Sequence, residues 1–149
     1  MLALALLTSC GDSGSGKGSK TDPTSSTWSL ERSEKEWDGF LLRYYEGFGP
    51  VDELEGSKDV EAYNEACKGF ADALRVNGEK ASTGKWPGEL KGKMDRFAVL
   101  LETEAKAVDV CSNAKTMKDV EEALRLQRRD SADSAGAGIA DYFEEVNAK

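Results

Sequence analysis

The sequence predicts an all-α fold, an antiparallel four-helix bundle on a flexible N-terminal tether. Apolar side chains recur at steps of three and four in four separate segments, the period of an amphipathic helix. Short polar connections join the segments, and no stretch alternates apolar and polar residues as a strand would. Residues 11–27 hold Gly, Ser, Lys, Thr, Asp and one Pro but no large apolar side chain, so they cannot bury enough surface to offset the entropy of ordering. The predicted organisation is a short apolar leader over 1–9, a linker over 10–27 and a helical domain over 28–149.

The first helix is predicted over residues 29–48. Leu30, Trp37, Phe40, Leu41, Tyr44 and Phe48 share one face, and Glu31, Glu34, Lys35 and Asp38 the other. Gly47, Gly49 and Pro50 should end it, because proline lacks a donor and glycine takes the left-handed cap. The second is predicted over 58–76, with Ser57 as N-cap and Asp59 and Glu61 near the positive helix end. Val60, Tyr63, Cys67, Phe70 and Leu74 make a bundle-type seam, and Asn77-Gly78 should stop it, leaving a loop to Trp86. The third opens at Pro87, with Leu90, Met94, Phe97, Leu101, Val108 and Cys111 inward, and closes over 113–115. The fourth opens at Thr116 with Asp119 in capping-box position and carries Val120, Leu124, Ile139, Tyr142, Phe143 and Val146. Its middle, 131–138, holds only small residues and two glycines, which leaves two readings open: a kink, or a close approach by a neighbour.

Composition removes several classes of function. The formal net charge is −8, so a phosphate backbone would be repelled and nucleic-acid binding is excluded. The chain has no histidine, which removes the commonest general base, His-containing metal sites, di-iron Glu-x-x-His pairs and Ser-His or Cys-His nucleophiles. The domain is expected to fold with no metal or cofactor. Gly11-Asp12-Ser13-Gly14-Ser15-Gly16-Lys17-Gly18 approaches a phosphate-binding loop, but Gly18 stands where Ser or Thr would hold Mg²⁺ and no strand leads in, so it reads as linker.

Ahead of the tether, Leu7-Thr8-Ser9-Cys10 follows the apolar run Leu2–Leu7. An aliphatic residue, two small residues and a cysteine resemble the lipobox of bacterial lipoproteins. The resemblance implies that the Cys10 thiol carries a diacylglyceryl group, that cleavage falls between Ser9 and Cys10, and that acylation holds the protein on the extracytoplasmic face of the cell membrane; a second acyl chain turns reversible binding into a stable anchor. No basic residue precedes the short run, so residues 1–9 read as a truncated signal peptide whose start lies upstream.

With Cys10 assigned to lipid, Cys67 and Cys111 remain. In an exported protein such a pair is expected as a disulfide; the alternative is two buried thiols acting as small hydrophobes. Both fall on inward seams, at different depths. Pairing requires an axial offset of about 20 Å between the second and third helices, which a loop over 77–86 can span.

The remaining polar features read mainly as surface. Glu102, Glu104, Asp109, Glu121, Glu122, Asp130, Asp133, Asp141, Glu144 and Glu145 read as a solvated face, with Glu121 spaced to pair with Arg125. Arg125, Arg128 and Arg129 form the one dense basic cluster, and Trp86 sits in a connection; these four are the candidate partner contacts, with surface pairing and a packing staple as the ordinary readings. The function expected is non-enzymatic: a lipid-anchored binding or interaction module of the bacterial cell envelope, facing an envelope protein, a cell-wall polymer or a small ligand. The alternative is an envelope hydrolase using paired carboxylates, which needs no histidine but requires two inward acids about 5–9 Å apart.

Overall fold

The computed structural model describes residues 26–129 and 131–149. The lipobox with Cys10, the tether with its glycine-rich motif up to residue 25, and Asp130 lie outside the described residues. The fold is an all-α bundle, with no strand among the described residues: α1 (Leu30–Asp52), α2 (Val60–Thr83), α3 (Gly88–Ser112), α4 (Met117–Arg129) and α5 (Asp133–Asn147). Helix α2 packs between α1 and α3, and α3 is central, touching α2, α4 and α5. The predicted fourth arm is α4 and α5 together, interrupted at the small-residue stretch.

Helix α1 is capped by Ser29, whose side chain accepts from the Arg32 amide at 3.2 Å. It does not end at Gly47-Phe48 but runs through Pro50 to Asp52. Proline in the last turn forfeits one backbone bond, and burial of Val51 holds that turn in the core. Gly47 acts in packing rather than capping: a Cβ there would stand 2.7 Å from the Ala73 Cβ, so glycine lets α1 and α2 approach closely.

Helix α2 is capped by Asp59, not Ser57; the Asp59 carboxylate accepts from the Ala62 amide at 3.0 Å, while the Ser57 hydroxyl accepts from Asp59 N–H. Asn77-Gly78 does not stop it. The seam Tyr63, Cys67, Phe70, Leu74 continues in step through Asn77 and Ala81, all buried. Asn77 is tolerated there because its amide is satisfied: Nδ2 donates to the Phe40 carbonyl at 3.0 Å, and Oδ1 accepts from Arg43 Nε at 2.7 Å. The extra seven residues of helix carry the chain about 10 Å further, so the connection to α3 is only Gly84–Pro87. Gly84 is required in that connection, since a Cβ would collide with the buried Trp86 indole.

Cys67 and Cys111 form a disulfide between α2 and α3, with α-carbons 5.9 Å apart. The lengthened α2 halves the axial offset to about 10 Å, within reach of the short connection.

Thr116 and Asp119 form the capping box of α4: the Asp119 carboxylate accepts from the Thr116 amide at 2.9 Å, and the Asp119 amide donates to the Thr116 hydroxyl at 3.3 Å. The hydroxyl's own hydrogen bond to Asp119 is the main reason that carboxyl titrates below its usual range. Ile139 and Phe143 bury the inner face of α5. At the C-terminal end of α5, Asn147 Nδ2 donates to Glu34 Oε1 of α1 at 3.1 Å.

Candidate functional site

A cleft of about 340 Å³ opens where α5 leans on α3 beside α1. Helix α1 supplies Trp37, Phe40, Leu41, Tyr44 and Tyr45, α2 supplies Asn77 and α3 supplies Phe97; the opposite wall is Ala132, Asp133, Gly136, Ala137 and Ala140. The small residues of α5 create the space, because no large side chain there reaches across to α1. The aromatic wall is fixed by its own packing. Trp37 and Phe97 meet edge-on at 5.4 Å, Phe40 and Phe97 lie 6.4 Å apart, and Trp37 and Phe40 are buried. At the mouth Tyr45 is 66 % exposed and Leu41 38 %, so apolar surface faces solvent there. Trp37 also reaches to 3.5 Å of where a Gly136 Cβ would stand; the small residues of the weak stretch thus both interrupt the helix and admit a neighbour.

Glu104 sits beneath the cleft. It is 0 % exposed, so the solvated-face reading fails for this residue. Three donors from three parts of the fold converge on it. The Tyr44 hydroxyl of α1 donates to Oε1 at 3.0 Å, Gln127 Nε2 of α4 to Oε1 at 2.6 Å, and the Ala132 amide at the α4–α5 break to Oε2 at 3.0 Å. Glu104 is therefore the latch that fixes where α5 begins. Burial raises its carboxyl above the ordinary range; the three hydrogen bonds oppose that shift and the Asp133 charge adds to it. Tyr44 is raised as well, by burial first and then by the Glu104 charge, so its hydroxyl stays protonated and donating.

The residues singled out from sequence fall in different places. Trp86 is 2 % exposed, which corrects its candidacy as a partner contact. Its Nε1 donates to the Ala81 carbonyl at 2.7 Å and its ring meets Trp28 edge-on at 4.7 Å, so it staples the α2–α3 connection to the start of α1. Arg125, Arg128 and Arg129 are exposed on α4. Arg125 holds Glu122 through two bonds of 2.8 and 2.7 Å, rather than the Glu121 that spacing suggests, and this pairing keeps the Glu122 carboxyl low. None of these four residues lines the cleft. Of the other acids, Asp109 pairs with Arg75 across α2 and α3, and Glu102 pairs with Lys106 at 3.6 Å. Among the described residues no three His, Cys, Asp or Glu side chains are placed to hold a metal ion, and no helix is long and apolar enough to cross a membrane.

The aromatic cleft was not singled out from sequence, though one signal for its floor was present. The seam Leu90, Met94, Phe97, Leu101, Val108, Cys111 has a gap, and the step of three that fills it falls on Glu104. A glutamate on a buried seam must find donors, which marks the spot where helices meet through polar groups.

Fold and site together define a disulfide-linked helical bundle with an aromatic side cleft over a buried carboxylate. No protein-family model, curated protein or solved structure matches this chain.

Proposed function

We propose that the protein is a lipid-anchored, extracytoplasmic binding module of the bacterial cell envelope, and that it holds a small ligand in the cleft between α1 and α5. The observation that carries the binding role is the cleft: a preformed concavity of about 340 Å³, walled by rigid aromatic rings and offering few polar groups, has the size and lining typical of small-molecule sites. The compartment is supported by Leu7-Thr8-Ser9-Cys10 and by the Cys67–Cys111 disulfide, which an oxidising environment maintains. The hydrolase alternative draws no support from this geometry. Asp133 is the single carboxylate lining the cleft among the described residues, and Glu104 does not line it.

The binding role is tested by a ligand-observed NMR screen of a small-molecule library against the domain and against Ala137→Trp, which fills the cleft from an exposed position of α5. Hits lost in the variant support the role; hits unaffected by it, or no hits at all, oppose it. The anchor is tested by expressing the gene with its upstream start and fractionating cells. Cys10→Ala should release the domain from membranes and remove the diacylglyceryl mass; lipid-free, soluble wild-type protein refutes the anchor.

A further inference from the structure

We infer that the cleft selects a small organic cation, an ammonium or quaternary ammonium group on a compact apolar body. This rests on the cleft being a binding site. Among the described residues that line it, Asp133 is the one charged group, and no Lys or Arg is present. Asp133 has no ion pair among the described residues, so its charge is not already compensated by a side chain. Tyr44 spends its hydrogen on Glu104, so its hydroxyl is not a donor to a ligand. Arg43 bonds Asn77 and lies over the Phe40 ring at 5.2 Å, but does not line the cleft. Ring faces attract a cation through their quadrupoles; Trp37, Tyr44, Tyr45 and Phe97 line the cleft beside Phe40, whose ring Arg43 already covers.

An anion is the natural competitor, because the N-terminus of α5 lies at the same wall and helix N-termini attract negative charge. Three amides at that end are already bonded within the protein. The Ala132 amide is given to Glu104, the Asp133 amide to the Ser131 hydroxyl at 3.1 Å, and the Gly136 amide to the Ala132 carbonyl at 2.9 Å. The Asp133 carboxylate at the cleft wall would repel a further anion. The chain's net charge of −8 also favours the arrival of cations over anions.

The probes are benzyltrimethylammonium, its neutral near-isostere 2,2-dimethyl-3-phenylpropan-1-ol, and phenylacetate, titrated calorimetrically into wild type, Asp133→Asn and Ala137→Trp, with helical content checked for each variant. The cation should bind wild type at least tenfold more tightly than the alcohol, and phenylacetate more weakly still. Asp133→Asn should weaken the cation about fivefold and leave the alcohol unchanged, while Ala137→Trp should abolish both. Alcohol or phenylacetate binding as tightly as the cation and blocked by Ala137→Trp would overturn the charge selection and leave the cleft as a site. A cation affinity unmoved by Asp133→Asn would overturn it equally. No binding by any probe, or binding indifferent to Ala137→Trp, would overturn the cleft reading and the inference with it.

Discussion

Replacing Glu104 should be among the most costly single changes in this domain, and its cost should vary with pH in a defined direction. Glu104→Ala leaves three donors without their acceptor: the Ala132 amide, Gln127 Nε2 and the Tyr44 hydroxyl. Tyr44 is half-buried, so water can replace its lost partner; Ala132 borders the cleft too but is buried, as is Gln127. An unsatisfied buried donor costs about 1–3 kcal/mol, so the pair gives a destabilisation of about 3 kcal/mol, or about 10 °C in Tm for a domain of this size. Glu104→Gln keeps one acceptor oxygen and nearly the same shape, so it should cost less and serves as the titration control. Burial raises the Glu104 carboxyl in the folded state, so the folded protein holds its proton more tightly than the unfolded chain. Its contribution to stability is complete below the unfolded carboxyl value of about 4.3 and is lost as pH rises through the folded value. Urea unfolding of wild type and Glu104→Gln, followed by circular dichroism from pH 4 to 8, isolates that contribution in the difference between the two. The difference should favour wild type most at the acidic end and decline upward. A flat or rising difference, or a Glu104→Ala variant within 1 kcal/mol of wild type, would refute the latch.

Two further outcomes follow from the packing. Gly47→Ala should destabilise by about 1–3 kcal/mol, because its Cβ would meet the Ala73 Cβ at 2.7 Å, whereas Gly138→Ala, with nothing within 4 Å, should stabilise α5 by up to about 1 kcal/mol; thermal melts of both variants check the contrast. Unfolded, unreduced mature protein should show no titratable thiol, and the double Cys67→Ser, Cys111→Ser variant should lose about 4 kcal/mol, the loop-closure value for a separation of 44 residues; two free thiols in envelope-derived material would refute the bridge.

Much of the bundle was legible because its helices obey one rule, an apolar residue every three or four positions. The seams of α2 and α3 predicted which side chains are buried, including both cysteines of the disulfide. The boundaries were misread wherever a residue with a strong local preference served a tertiary purpose. Asn77-Gly78 has the local chemistry of a stop, but Asn77 finds Phe40 and Arg43, and Gly78 faces Ala98 and Leu101 of α3. Gly47 has the chemistry of a cap and is instead the contact point with Ala73. A local propensity of about 1 kcal/mol per residue is easily outweighed when neighbours satisfy the polar group or fill the space.

The site was less legible for a related reason. Tyr44, Glu104, Gln127 and Ala132 come from four separate regions of sequence, and only the fold brings them together. Polar residues on buried seams are the visible trace of such a meeting: Asn77, Glu104 and Gln127 each fall in step with apolar neighbours and each is buried. Reading Glu104 as surface treats amphipathicity as the only determinant, although a seam position constrains a polar side chain more than an exposed one does. The weak stretch 131–138 carried the complementary signal. Small residues in a helix add little to a core, but opposite an aromatic face they leave an opening, and the latch on Glu104 keeps it from closing. The same local deficit that interrupts the fourth arm thus supplies the only described wall that faces the α1 aromatics across the cleft, which ties the irregularity of the fold to the place where a ligand would bind.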